Sequence, residues 1–307
     1  MVVSKAVIAR EPTHPLAVNW SLEDVDVHAP GDGEVLVEMR ASGICHTDIL
    51  LTSVSLLIRF FFFFLTFIFN VALAKSELGA GIVRDVGKNV HAVAVGDPVL
   101  LSFHSCSSCE QCKDCHPAYC DEFGQENYVG RKRSMSLRKN GEIIWTRFFG
   151  QSSFAQYSIV SEASVVNAKE LLHHDHELEL FAPLGCGFQT GMGAIQNIAA
   201  AGIAETVMII GMGAVGMGAL MTAKIRNCKA IIAVDRIKDR LELAKTLGAS
   251  HILNTSDPSF TTLNEATRNL SAGGVSVVID TTGVPTLIEQ GIQSTTARVG
   301  PRDLGMH

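Results

Sequence analysis

Apolar and polar positions follow two rhythms along this chain. The N-terminal stretch MVVSKAVIAREP has no continuous apolar core and reads as a first β-strand. From Thr206 the pattern becomes an apolar strand (TVMII), a glycine turn, a helical stretch, a second apolar strand and then Asp235. HILN, a polar helical stretch from Phe260 to Leu270, the strand VSVVID at Val275 to Asp280 and a helix beginning near Pro285 continue the alternation. The pattern predicts an α/β fold with the first four strands of a doubly wound parallel sheet. The sheet is expected to be truncated at its C-terminus, because ARVGPRDLGMH ends at His307 where another apolar strand should follow.

One segment breaks both rhythms. Leu51 to Lys75 is crowded with large apolar residues, and seven of the 15 phenylalanines fall between Phe60 and Phe69. As a helix, Leu56 to Ala74 would span about 28 Å, close to the roughly 30 Å hydrocarbon core of a membrane. Arg59 and Asn70 sit inside it, and an anchor here would break an otherwise soluble domain. A membrane anchor, a buried insertion and a translated non-coding stretch such as an unspliced intron are the three readings. The compositional discontinuity favours the last.

At 307 residues with 47% hydrophobic content, the chain is long enough for two domains with ample cores. A net charge of -6 without a long basic run leaves no electrostatic footprint for nucleic acid or an anionic membrane, so a small-molecule partner is expected. The lack of a signal peptide and the spacing of the cysteines point to the reducing cytoplasm.

Cys106, Cys109, Cys112 and Cys120 have the spacing C-x2-C-x2-C-x7-C, which suits a structural zinc site closed by four thiolates. Disulfides or an unligated loop are the alternatives, and Cys115 is a fifth thiol that could compete. In the C-terminal half, Gly211, Gly213 and Gly216 form a dinucleotide-binding turn. They serve the tight turn, the approach to the pyrophosphate and helix-to-strand packing in that order. Asp235, ending the second strand, would accept hydrogen bonds from the adenosine ribose and favour NAD over NADP, while Arg236 beside it pulls the other way. SGICHTD sets Cys45, His46, Thr47 and Asp48 together, and PLGCGFQTG holds Cys186. Both cysteines are candidate ligands of an open catalytic zinc site, with buried core thiols as the alternative.

These four motifs, in this order, resemble the zinc-dependent medium-chain alcohol dehydrogenases over roughly Val2 to Leu51 and Gly79 to Ala297. The resemblance implies a GroES-like, β-rich catalytic domain over 1–168, a Rossmann nucleotide-binding domain over 169–307 to which Cys186 belongs in sequence, and a cleft between them for the chemistry. It implies that Cys45 and Cys186 bind catalytic zinc, that Thr47 relays the alcohol proton and that Asp48 supports a zinc-bound histidine. His46 would face the cofactor pyrophosphate, and Arg240 would contact the adenosine ribose. Leu50 stands where some members carry a relay histidine. Ser76, Glu77 and Leu78 stand where the family has a Gly-His-Glu run, whose histidine is the third zinc ligand. Glu77 could replace it, or the site is broken.

The implied cofactors are NAD and two zinc ions per chain, or one if the catalytic site is broken. The implied substrates are a small-molecule alcohol or aldehyde, with an aromatic or allylic alcohol preferred. A homodimer is expected only for a full-length form. A non-catalytic remnant retaining the structural zinc site is the rival. HHDHE at His173 to Glu177 reads as a solvated run and RKRSMSLRK at Arg131 to Lys139 as a basic surface loop. Phe103 either lines an apolar substrate pocket or belongs to the core.

Overall fold

The computed structural model describes residues 1–10, 14, 17–45, 48, 72–73, 79–129, 134–174, 176–270 and 274–295. Contacts divide the chain into two compact units, Met1–Cys186 and Gly187–His307. The division falls later than the expected 168, because Leu178 and Ala182 pack with Ala80 and Leu100 in a core of the first unit.

The first unit holds two antiparallel sheets. Strands β1 (Val2–Arg10), β2 (Asn19–Val27), β4 (Ala72–Leu73) and β7 (Met135–Leu137) form one, in the order β4-β1-β2-β7. Strands β3 (Glu34–Ser42), β5 (Gly79–Val86), β6 (Pro98–Leu101), β8 (Tyr157–Ser161) and β9 (Val165–Asn167) form the other, in the order β8-β3-β5-β6-β9. Along β1, Ser4, Ala6 and Ile8 point inward while Val3 and Lys5 are exposed, the period of two that a half-buried strand requires. Ile8 packs with Val25, Leu137 and Ile159 in one core, and Val37 with Val83, Val99 and Val160 in the next.

Part of the basic run behaves differently from the expectation. Met135 and Leu137 are buried and pair with Val27 and Val25, so this stretch is an edge strand rather than a solvated loop. Two apolar residues at i and i+2 have been drawn into the core, while the flanking Arg138 stays exposed and pairs with Asp26. Arg131 to Arg133 lie outside the described residues.

Lys139, just past β7, also reaches Glu23 (2.9 Å), as do Arg10 (2.5 Å) and the Ser21 hydroxyl (2.7 Å). Lys139 foremost, then Ser21 and Arg10, lower the Glu23 carboxyl from 4.5 to about 2. As pH falls, the unfolded chain takes up this proton first, so the cluster stabilises the fold fully above 4.5 and ceases to do so below about 2. Denaturant titrations of wild type and Glu23→Gln should differ by about 1 kcal/mol at neutral pH, with the difference vanishing below that window. A pH-independent difference would show that the ion pairs do not carry it.

The second unit is a parallel sheet of β10 (Thr206–Ile210), β11 (Ala230–Asp235), β12 (His251–Asn254) and β13 (Val277–Asp280), in the order β12-β11-β10-β13. All five residues of β10 are buried, as a strand covered on both faces demands. Val207 and Ile209 face Leu220 and Ala223 of helix Ala214–Ile225 and Leu241 of helix Lys238–Leu247. Met208 and Ile210 face Leu263 of helix Leu263–Leu270 and Leu287 of helix Pro285–Gln293 on the other side. In order along the chain these strands lie third, second, first, fourth across the sheet, the first four positions of a doubly wound arrangement, with the fourth on the far side of the first.

Leu51 to Lys75, apart from the two residues of β4, lies outside the described residues, as do residues 296–307. Among the described residues, no helix is long and apolar enough to cross a membrane.

Candidate functional site

The cysteine loop closes on itself. The Sγ atoms of Cys106, Cys109, Cys112 and Cys120 all lie within 4.8 Å of one another, with Cys106 and Cys112 at 4.0 Å. A tetrahedral zinc with Zn–S bonds of about 2.3 Å needs sulfurs about 3.8 Å apart, so the donor set fits a closed site in type and spacing. Cys115 is exposed and outside the group.

Local hydrogen bonding already favours negative charge here. The Ser108 hydroxyl and the Ser108 and Cys109 N–H groups donate to Cys106 Sγ, lowering its thiol to about 6. Desolvation and the neighbouring thiols push Cys112 up to about 12, and Cys120 is also raised, chiefly by desolvation. Four thiols held this close cannot all ionise without a cation among them.

Asn127, which sequence reasoning missed, joins the two ends of this loop to the fold. It is fully buried, exchanges two 2.8 Å hydrogen bonds with the backbone of His104, and donates a third to the Phe123 carbonyl at 3.0 Å. An isolated asparagine in QENYV carries no sequence signal of such a role.

In the Cys45 segment, the buried Asp48 accepts a hydrogen bond from the Cys45 N–H at 2.6 Å, and its own N–H donates to the Cys45 carbonyl at 3.1 Å. Asp48 therefore fixes the backbone of Cys45, a role not anticipated from the sequence. Cys45 and Cys186 are both half-buried on the first unit. His46, Thr47, Leu50 and Ser76 to Leu78, including Glu77, lie outside the described residues. Two thiolates do not complete an open zinc site, which takes three protein ligands. Among the described residues, groups of three or more metal-type ligands are confined to the loop quartet.

Two of the three glycines in the turn are required by the backbone itself. Gly211 takes φ +95, a left-handed conformation natural to glycine, and its N–H donates to the Val234 carbonyl at 2.7 Å. A Cβ on Gly216 would sit 1.8 Å from the Gly211 carbonyl oxygen, so this position admits no side chain. A Cβ on Gly213 would meet nothing within 4 Å, which leaves open space beside the backbone at the start of helix Ala214–Ile225. That space and the first-turn N–H groups suit a pyrophosphate.

Asp235 ends β11 and is 8% exposed. Oδ2 accepts the Met212 N–H at 2.6 Å and Oδ1 the Ile237 N–H at 2.9 Å. Arg240 approaches Oδ2 at 3.9 Å. Asp235 thus pins the glycine turn to the neighbouring strand, and each carboxylate oxygen retains further acceptor capacity for ribose hydroxyls. Thr281, just past β13, directs its hydroxyl to the Ile210 and Gly211 carbonyls from the other side, a contact with no signal in the sequence.

The rings of Phe103, Phe123, Tyr128, Phe148 and Phe149 form one cluster, with Phe103 and Phe123 at 5.7 Å and Phe148 and Phe149 at 4.7 Å.

Residues 31–170 match the alcohol dehydrogenase GroES-like domain and residues 214–300 the zinc-binding dehydrogenase family. Geraniol dehydrogenase of Castellaniella defragrans is 33% identical over 297 residues, which cover 96% of this chain and 74% of that protein. Among solved structures, benzyl alcohol dehydrogenase of Acinetobacter calcoaceticus is 33% identical with a TM-score of 0.78, covering 96% of this chain and 75% of that one. An alcohol dehydrogenase zinc-binding domain protein of Burkholderia ambifaria is 34% identical with a TM-score of 0.80, covering 96% and 74%. With its cysteine quartet, parallel sheet and glycine turn, this chain belongs to the zinc-dependent medium-chain alcohol dehydrogenase family of oxidoreductases.

Proposed function

We infer that this chain catalyses reversible hydride transfer between a primary or secondary alcohol and NAD, with an aromatic or allylic alcohol as the preferred class. The observation that carries the inference is the carboxylate of Asp235 held at the glycine turn by Met212. A fixed negative charge there accepts hydrogen bonds from a free 2′-hydroxyl and repels a 2′-phosphate, which selects NAD. The similarity to dehydrogenases named for geraniol, an allylic alcohol, and benzyl alcohol supports the substrate class.

NAD, when bound, accepts the hydride from the carbinol carbon. The chain's part is to hold the pyrophosphate at the N-terminus of helix Ala214–Ile225 and the ribose at Asp235. Asp48 keeps the Cys45 backbone in place, and Thr47 carries the alcohol proton away, as the family resemblance implies.

Ser76, Glu77 and Leu78 in place of a Gly-His-Glu run favour a second reading, a non-catalytic relative that keeps only the loop metal. Purified chain should be assayed together for zinc content and for NADH formation with allylic, benzylic and short aliphatic alcohols. Two zinc ions per chain with NADH formation are expected. One zinc ion and no NADH formation with any alcohol would overturn the enzyme assignment in favour of the second reading.

A further inference from the structure

We propose that the histidine loop of the first unit is a binding site for a small organic anion, a phosphate ester or carboxylate with an apolar body. The loop borders a cavity of about 670 Å³, within the range of small-molecule sites. Its apolar part is formed by Ile82, Leu172 and Leu178, which belong to or pack on the core containing Ala80 and Leu100. Its polar part is largely cationic or hydrogen-bond donating: Arg40, Lys169, His173, His174 and His176, with Glu179 as the one described carboxylate. Of the loop itself, Asp175 lies outside the described residues.

These donors have capacity to spare. Arg40 shares Glu38 with Arg84, and Arg84 holds that carboxylate at 2.5 Å against 3.5 Å for Arg40. Lys169 Nζ makes no ion pair among the described residues, and its backbone N–H is tied to Asn167. Each imidazole offers an N–H even when neutral. Backbone hydrogen bonds join the described residues on either side of Asp175. Glu177 accepts the His173 and His174 N–H groups at 2.6 and 3.2 Å, and its own N–H donates to the His174 carbonyl at 3.0 Å. Holding this backbone reduces the part of the ordering cost that the chain itself would pay on binding.

Geometry favours an anion over a metal. The His174 and His176 rings are stacked in near-parallel planes, 8° apart with centroids at 5.5 Å, so their nitrogens lie in separate planes. No three ligand atoms of this described cluster approach closely enough to form a metal group.

The test follows imidazole C–H resonances of the full chain, assigned through His174→Gln and His176→Gln, during titration with phenyl phosphate, phenylacetate, inorganic phosphate, phenol or zinc. Phenyl phosphate and phenylacetate should shift the loop signals, with whichever binds more tightly distinguishing a phosphate from a carboxylate ligand. Inorganic phosphate should bind more weakly and phenol should leave the signals unmoved. Lys169→Glu, an exposed substitution, should weaken phenyl phosphate by about tenfold, the scale of one lost charge-assisted hydrogen bond. If that variant fails to fold, Lys169→Gln serves with a smaller loss in the same direction. Equal response to phenol, response to zinc alone, or anion affinity unchanged in a folded Lys169 variant would each overturn the proposal. None of these readouts depends on dehydrogenase activity.

Discussion

Cys109→Ser should abolish metal binding by the loop quartet and expose the segment between Cys106 and Cys120 to proteases. The helix Glu110–Lys113 and the single turn Pro117–Tyr119 bury no residue of their own. This lobe therefore has no hydrophobic core, and little besides a metal at the four thiolates can hold its middle together. Apparent binding free energies of structural zinc in small peptides are about 10–16 kcal/mol, large enough to decide whether such a segment is ordered. The loss should stay local, because Asn127 anchors the two flanks through His104 and Phe123 independently of the cysteines. Zinc should fall by one per chain, and limited proteolysis should cut within the lobe before the rest of the first unit is lost. A chelator should reproduce both effects in the wild type. A variant that keeps its metal and resists cleavage like the wild type would rule out this account of the lobe. Cys115→Ser, removing the exposed thiol outside the group, is the matched control and should change neither measurement.

The second large effect separates folding from cofactor binding at a single turn. Gly216→Ala places a methyl group 1.8 Å from the Gly211 carbonyl oxygen, a backbone atom with no easy direction of retreat. The turn or helix Ala214–Ile225 must shift, at a cost of about 1–3 kcal/mol typical of overpacking, and the dinucleotide turn is distorted with it. Gly213→Ala meets nothing within 4 Å, and the φ of -83 at this residue is open to alanine. Its folding cost should stay within about 1 kcal/mol, the scale of an N-cap change. A bound pyrophosphate would lie against that added methyl. Thermal unfolding should therefore rank Gly216→Ala well below Gly213→Ala, which should lie near wild type. NAD titration by nucleotide fluorescence should show weakened binding in both. If Gly213→Ala binds NAD like the wild type, the pyrophosphate does not lie at this turn.

Features that depend on neighbours in sequence could be read from the chain. The cysteine quartet, the glycine turn with its flanking strands, and Asp235 at a strand end all follow from short spacings and local periodicity. So did the four parallel strands, because the apolar runs of β10 and β11 are buried on both faces and leave a continuous signal.

Features that depend on distant partners could not. Met135 and Leu137 lie in a run whose charge suggests a surface loop, and their burial depends on pairing with a strand more than 100 positions earlier. The grip of Asn127 on His104 spans 23 residues, and Thr281 reaches Ile210 and Gly211 across about 70. The histidine run reads as a solvated segment, and its rings are indeed exposed, yet only the packing of Ile82 and Leu178 beneath them makes a cavity of that place.

The sequence by itself determined the two kinds of unit, the metal-type loop and the nucleotide turn, since each needs particular residue types at fixed local spacing. Tertiary structure decided which backbone groups clamp those motifs, where the first unit ends, and that the Asp235 carboxylate accepts hydrogen bonds from Met212 and Ile237. The physical reason is that buried hydrogen bonds and core contacts are satisfied by whatever the fold brings near, and loop closure over tens of residues leaves no periodic trace in the sequence.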